Sequence, residues 1–193
     1  MVKNTKIQYP SGVKMSYQRI KTSQGGRGME LEKEIGLTNE YYLNNNLAVV
    51  HKKPTPVTIV KVDYPKRSAA KITEAYFKIP STTDYNGIYR TRYIDFEAKE
   101  CASKTSFPLS SIHNHQLKHL QSVLNQGAIA FVIIRFTQLN QTYYVEAEKL
   151  LNYVSSTDKK SIPIQWFEEN THEIRYNYVK PVDYLEIINQ LYF

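Results

Sequence analysis

Arg92-Tyr93-Ile94-Asp95-Phe96-Glu97-Ala98-Lys99 alternates apolar and charged side chains. A period of two marks a β-strand with Ile94, Phe96 and Ala98 facing a core and Asp95, Glu97 and Lys99 sharing the opposite face. The rise of a strand sets the backbones of Glu97 and Lys99 about 7 Å apart, so both side chains reach one phosphate or one metal ion. Asp158-Lys159-Lys160 has the same acid-x-Lys spacing, but it lies in the polar run Ser155–Lys160 and reads as a solvated turn. On the strand alone, the ordinary account of residues 92–99 is a solvated sheet face with a cross-strand ion pair.

The residues upstream shift that balance. Pro80-Ser81-Thr82-Thr83-Asp84-Tyr85-Asn86-Gly87 brings Asp84 to the edge of a turn, with Asn86-Gly87 as the tightest hairpin candidate. A hairpin there returns the chain beside Asp84, twelve residues lying between it and Glu97. Two carboxylates from adjacent strands suit a hard divalent cation such as magnesium, which takes oxygen ligands and keeps several waters. Such an ion activates water, and a neighbouring lysine offsets the charge that develops on a phosphate. Asp84, Glu97 and Lys99 are therefore the candidate catalytic residues of a metal-dependent DNA-cutting enzyme.

Around this strand the pattern predicts a helix over 29–44 and a buried strand at Leu47–His51. Extended runs follow at Val57–Val62 and Glu74–Ile79, each bounded by proline. A helix is expected over 111–126 with Ser110 as N-cap and Leu117, Leu120 and Leu124 as its buried stripe, Gln116 lying on the border of that stripe. Ala128–Phe136, entered from Gly127, reads as a buried central strand. Shorter elements follow, with helices near Ala147–Tyr153, Ser161–Glu169 and Val182–Leu191, and Trp166 as packing. The alternation implies an α/β fold built on a mixed sheet. His113 and His115 stand two apart and cannot form an i, i+4 metal pair on a helix, and His51 beside two lysines suits a DNA or structural contact.

The net charge is +7, unevenly spread. Residues 1–28 carry six basic side chains, Arg27 among them, and no acid; residues 52–78 carry seven against Asp63 and Glu74. Together these segments hold +11, leaving −4 for the rest of the chain. Segregated positive charge is the footprint of a phosphate-binding surface. We read residues 1–28 as a mobile basic arm and 29–193 as one domain, from which residues of about 52–79 protrude as a basic ribbon. Lys52, Lys53, Lys61, Lys66, Arg67, Lys71, Lys78 and Tyr64 are its candidate DNA contacts, with Arg27 on the arm. Tyr76 and Phe77 suit stacking on DNA or sealing of the insertion against the domain. The single cysteine, Cys101, excludes an internal disulfide and a cysteine-built zinc site. No apolar run approaches a membrane span or a signal core, which together point to the cytoplasm.

Several stretches resemble the RecU family of Holliday junction resolvases, whose fold is that of type II restriction endonucleases. They are Gly28-Met29-Glu30-Leu31-Glu32, Thr38-Asn39-Glu40-Tyr41-Tyr42-Leu43, His51-Lys52-Lys53-Pro54-Thr55-Pro56, Val62-Asp63-Tyr64-Pro65, Glu74-Ala75-Tyr76-Phe77, Pro80–Gly87, Asp95–Glu100 and Ser106-Phe107-Pro108-Leu109. The resemblance runs from about Arg27 to the C-terminus and rests on these stretches together. It implies Thr82, Asp84, Glu97 and Gln116 as the magnesium site, with manganese able to substitute, and Lys99 as transition-state stabiliser. It further implies that the insertion is a stalk entering the junction centre, and that a homodimer makes paired symmetric nicks leaving 5′ phosphates. The implied role is in recombination and DNA repair, with recombinase and branch-migration proteins as further partners. Two other readings stay open from the residues: an endonuclease acting on ordinary duplex, and a non-catalytic DNA-binding scaffold.

Overall fold

The alternating stretch forms the first eight residues of a ten-residue strand, Arg92–Cys101. The computed structural model describes residues 29–78 and 82–193. In chain order these form α1 (Met29–Asn44), β1 (Val49–Lys52), β2 (Val57–Asp63), β3 (Lys71–Phe77), β4 (Tyr85–Tyr89), β5 (Arg92–Cys101), β6 (Ser106–Pro108), α2 (Asn114–Asn125), β7 (Ile129–Phe136), β8 (Gln141–Glu146), α3 (Ala147–Ser156), β9 (Ser161–Pro163), α4 (Ile164–Asn170), β10 (His172–Glu173) and α5 (Tyr184–Tyr192). The mobile-arm expectation for residues 1–28, and Arg27 with it, lies outside the described residues.

The main sheet has the order β1-β4-β5-β7-β8-β10. β5 and β7 are parallel, and every other neighbouring pair is antiparallel. Parallel neighbours need a crossover. Here it contains α2, which runs back along the sheet and sets its N-terminus at the C-terminal end of β5.

Alternation divides the core in two. Ile94, Phe96, Ala98, Ile129, Phe131 and Ile133 meet Leu31 and Ile35 of α1 and Leu185 and Ile188 of α5. Across this face Tyr85, Phe96, Phe131 and Tyr144 stack strand to strand at centroid distances of 4.7, 4.6 and 4.4 Å. Each buried ring contributes about 2–3 kcal/mol of transfer free energy, and the stacking holds the strand register. The opposite face presents Ala130, Val132, Ile134 and Phe136 to Leu120, Leu150 and Phe167. Asp95, Glu97 and Lys99 belong to this second face by their parity on β5. Cys101 is buried at the strand end, and Trp166 packs edge-on against Tyr153 and Phe167.

Four expectations are corrected. The β4–β5 hairpin exists, but it turns at Arg90 and Thr91, whose φ angles are 43° and 66°, and not at Asn86-Gly87. Gly87 sits inside β4 because a Cβ there would stand 2.2 Å from the Val49 carbonyl oxygen and 2.6 Å from the Val50 Cα. Glycine here permits the close approach of β1, not the turn. β1 is an edge strand with only Val50 buried, not the buried strand expected at Leu47–His51. Ser110 falls in a 3-10 turn, Leu109–Ser111, and α2 instead starts after His113, whose backbone N–H donates to Gln116 Oε1 at 2.9 Å. The helix expected over Ser161–Glu169 is split by Pro163 into β9 and α4.

β2 and β3 pair only with each other, and every residue of both strands is exposed. Tyr76 is 63% and Phe77 82% exposed, so neither seals the insertion against the domain. Register shifts between Ile59 and Val62 add the local twist of a bulged ribbon.

Candidate active site

The register of β4 on β5 pairs Tyr85 with Phe96, so the residue before Tyr85 falls opposite Glu97. The Asp84 backbone N–H donates to Glu97 Oε2 at 3.1 Å. Lys99 Nζ lies 2.6 Å from Glu97 Oε1. The structure thus brings Asp84, Glu97 and Lys99 together at the C-terminal end of β5, on the face covered by α2. Glu97 is fully buried, whereas Lys99 keeps 21% of its side chain exposed and opens the site to solvent.

Burial pushes the Glu97 carboxyl up to about 7, with Lys99 pulling it down and Asp84 pushing it further up. A carboxyl whose pKa stands above its value of 4.5 in the unfolded chain binds its proton more tightly when folded. The metal-free protein therefore loses stability as pH rises from about 4.5 to about 7, by at most ~3 kcal/mol from this group. Glu97→Gln has no such proton to lose. Denaturant unfolding in chelator at pH 5 and pH 8 should show a smaller fall for the variant; equal falls would contradict this assignment.

The donor chemistry suits a hard cation. Glu97 Oε1 is buried without a regular hydrogen bond despite the nearby ammonium. Among the described residues no group of three or more His, Cys, Asp or Glu side chains stands together as a metal-holding cluster. What stands here is a pair of carboxylates, Asp84 and Glu97, the oxygen-donor class that suits a hard divalent cation.

Gln116 is buried in the first turn of α2, 5% exposed. Three residues on, His119 Nε2 lies 3.2 Å from Asp95 Oδ1. Because α2 runs opposite to β5, the turn before His119 lies towards Glu97, so Gln116 stands over the expected part of the sheet. One lone pair of its oxygen takes the His113 N–H, and the other stays available. Thr82 is half-buried, its hydroxyl donating to the Thr83 carbonyl at 3.3 Å.

The DNA-contact candidates divide. Lys61, Lys66, Arg67, Lys71, Lys78 and Tyr64 are exposed along or beside the ribbon. Lys52, at its base, pairs with Glu32 at 2.5 Å and remains exposed. Lys53 stands apart from them: its Nζ turns inward to Asp95 Oδ2 at 2.9 Å and Thr83 Oγ1 at 3.0 Å, because Asp95 is fully buried and needs a counter-charge. Sequence alternation placed Asp95 on the catalytic face but carried no sign of its partners. Val49, Ile88 and Tyr93, which follow one another across β1, β4 and β5, leave an apolar strip 43, 52 and 41% exposed near the sheet edge.

The family model described as "Recombination protein U" matches residues 26–190. A protein of Oceanobacillus iheyensis named "Holliday junction resolvase RecU" is 52% identical over 97% of this chain and all of its own length. One of the same name from Geobacillus sp. (strain WCH70) is 50% identical over 97% of this chain and 98% of the relative. A third, from Lactococcus lactis subsp. lactis, is 55% identical over 86% of this chain and 79% of the relative. A family match over most of the chain, and identities near one half, place this chain in the Recombination protein U family.

Proposed function

We propose that this protein is a structure-selective endodeoxyribonuclease that resolves four-way DNA junctions with a divalent cation, magnesium by preference and manganese in its place. The observation that carries the reading is the buried Glu97 held between Asp84 and Lys99, at the sheet end next to the base of an exposed basic ribbon. The relatives' shared name supports the choice of substrate.

Asp84, Glu97, Gln116 and Thr82 would hold the cation, which when bound supplies an activated water and charge neutralisation at the scissile phosphate. Lys99 reaches the same phosphate from the exposed side of Glu97, where its ammonium offsets the negative charge that grows on the non-bridging oxygens. Glu97 in turn holds Lys99 in place, so the two side chains act as one unit. Burial of Glu97 favours cation binding over solvation, because ionising it without a counter-charge is unfavourable.

The ribbon reads the substrate. Two paired strands with no other packing are marginal in water, so its exposed Tyr64, Tyr76 and Phe77 call for an occupant. Bases opened at a junction centre stack on such rings while Lys61, Lys66, Arg67, Lys71 and Lys78 pair with phosphates. Two symmetric cuts need two sites, hence a two-fold homodimer, for which the apolar strip of Val49, Ile88 and Tyr93 offers a surface. The setting is recombination and repair of the chromosome in the cytoplasm. Among the described residues no helix is long and apolar enough to cross a membrane.

Competition between a labelled four-way junction and linear duplex of the same sequence tests the reading. Junction cutting in magnesium that survives a large excess of duplex is the expected result. Equal cutting of both would favour an ordinary duplex endonuclease, and no cutting a DNA-binding scaffold.

A further inference from the structure

Asp95 is fully buried, yet it is a carboxylate. It accepts hydrogen bonds from Lys53 Nζ at 2.9 Å, from Tyr93 Oη at 2.9 Å and from the Thr83 hydroxyl. The His119 ring nitrogen lies 3.2 Å away. Removing two charges from water costs more than their attraction returns in many proteins, and apolar residues of like size often fill such a place with no loss of stability. Packing alone therefore does not account for Asp95.

Its partners account for it. Thr83, 2% exposed, is bonded to Asp95 and is covalently next to Asp84. Lys53 reaches Asp95 with its ammonium, while its backbone N–H donates to the Asp84 carbonyl at 2.7 Å. Asp84 is thus held through its neighbour's side chain on one side and through its own carbonyl on the other. His119 stands one turn after Gln116 on α2. One buried carboxylate gathers the segments that carry Asp84, Glu97 and Gln116, although these come from the β3–β4 connection, a strand and a helix.

Resting on the catalytic reading above, we infer that Asp95 is a positioning residue: through Thr83 and Lys53 it clamps Asp84 opposite Glu97 and sets the spacing of the cation site. It is not a ligand of that site, since both its oxygens are already engaged, Oδ2 by Lys53 and Tyr93 and Oδ1 by Thr83 and His119. Groups that orient metal ligands in this way are worth roughly 10- to 100-fold in metal affinity or activity when removed.

The test uses full-length Asp95→Asn, Thr83→Val and the double variant. Manganese binding to the protein alone, read from the paramagnetic resonance of free Mn2+, needs neither DNA nor turnover. It should weaken roughly 10- to 100-fold in Asp95→Asn, with a similar loss in kcat for junction cutting and an unchanged KM. The double variant should be no worse than Asp95→Asn alone, because both remove the same clamp. Wild-type manganese affinity in a folded Asp95→Asn protein, or losses that multiply in the double variant, would overturn the clamp. Should Asp95→Asn fail to fold, Thr83→Val decides: weakened manganese binding supports the clamp and wild-type affinity overturns it. If the wild-type protein cut no junction, the functional reading would fall, while the manganese measurement would still decide what Asp95 does.

Discussion

Glu97→Gln should abolish cutting while leaving junction binding intact. The amide keeps the shape of the side chain and an oxygen to accept the Asp84 N–H, now at 3.1 Å. It removes the charge that holds both the cation and Lys99, whose ammonium lies 2.6 Å from Glu97 Oε1. Lys99→Ala removes one charge-stabilising donor and should lower kcat roughly 10²- to 10³-fold. Glu97→Gln disables that donor and the cation together, so its loss should be at least ~10³-fold. Binding, followed by fluorescence anisotropy in calcium, should stay near wild type, since neither side chain belongs to the ribbon. Cutting by Glu97→Gln within about tenfold of wild type would remove the buried carboxylate from the mechanism.

Deleting Val57–Phe77 should separate cutting from substrate choice. The Lys78 backbone N–H donates to the Pro56 carbonyl at 3.0 Å, so the cut ends already stand beside each other. Apart from the half-buried Ala69 the deleted residues are exposed, and none belongs to the core. The thermal midpoint should therefore hold. Losing the stacking of Tyr76 and Phe77, at roughly 1–3 kcal/mol per base, and the four basic side chains Lys61, Lys66, Arg67 and Lys71 should lower junction-over-duplex preference about 100-fold. Residual magnesium-dependent nicking should persist, because Asp84, Glu97 and Lys99 lie outside the deletion. A folded deletion protein that kept full junction preference would assign selectivity elsewhere.

What the sequence revealed follows from the range of the forces involved. The alternation of residues 92–99, the apolar run of β7 and the exposed charges of the ribbon are local patterns, and the structure has all three. The turn at Arg90-Thr91 was not legible because neither residue type prefers positive φ; closure of the hairpin imposes it. Asn86-Gly87 misled for the matching reason: Gly87 answers to the β1 backbone, which lies more than 30 residues earlier in the chain. Ser110 had the chemistry of a cap, but the pairing of β6 with β9 and the Gln116 bond to His113 delay the helix. Lys53 looked like its neighbour Lys52 in a basic run. Only the buried charge of Asp95, on another strand, turned it inward. Gln116 entered through resemblance, since its value depends on α2 lying across β5.

The most direct test maps the cuts on a four-way junction labelled in turn on each of its strands, with wild-type protein in magnesium and in chelator. Magnesium-dependent nicks at symmetric positions on two strands of like polarity are expected, and none from Glu97→Gln. Cuts scattered over all four strands, or cuts that persist in chelator or in Glu97→Gln protein, would contradict it.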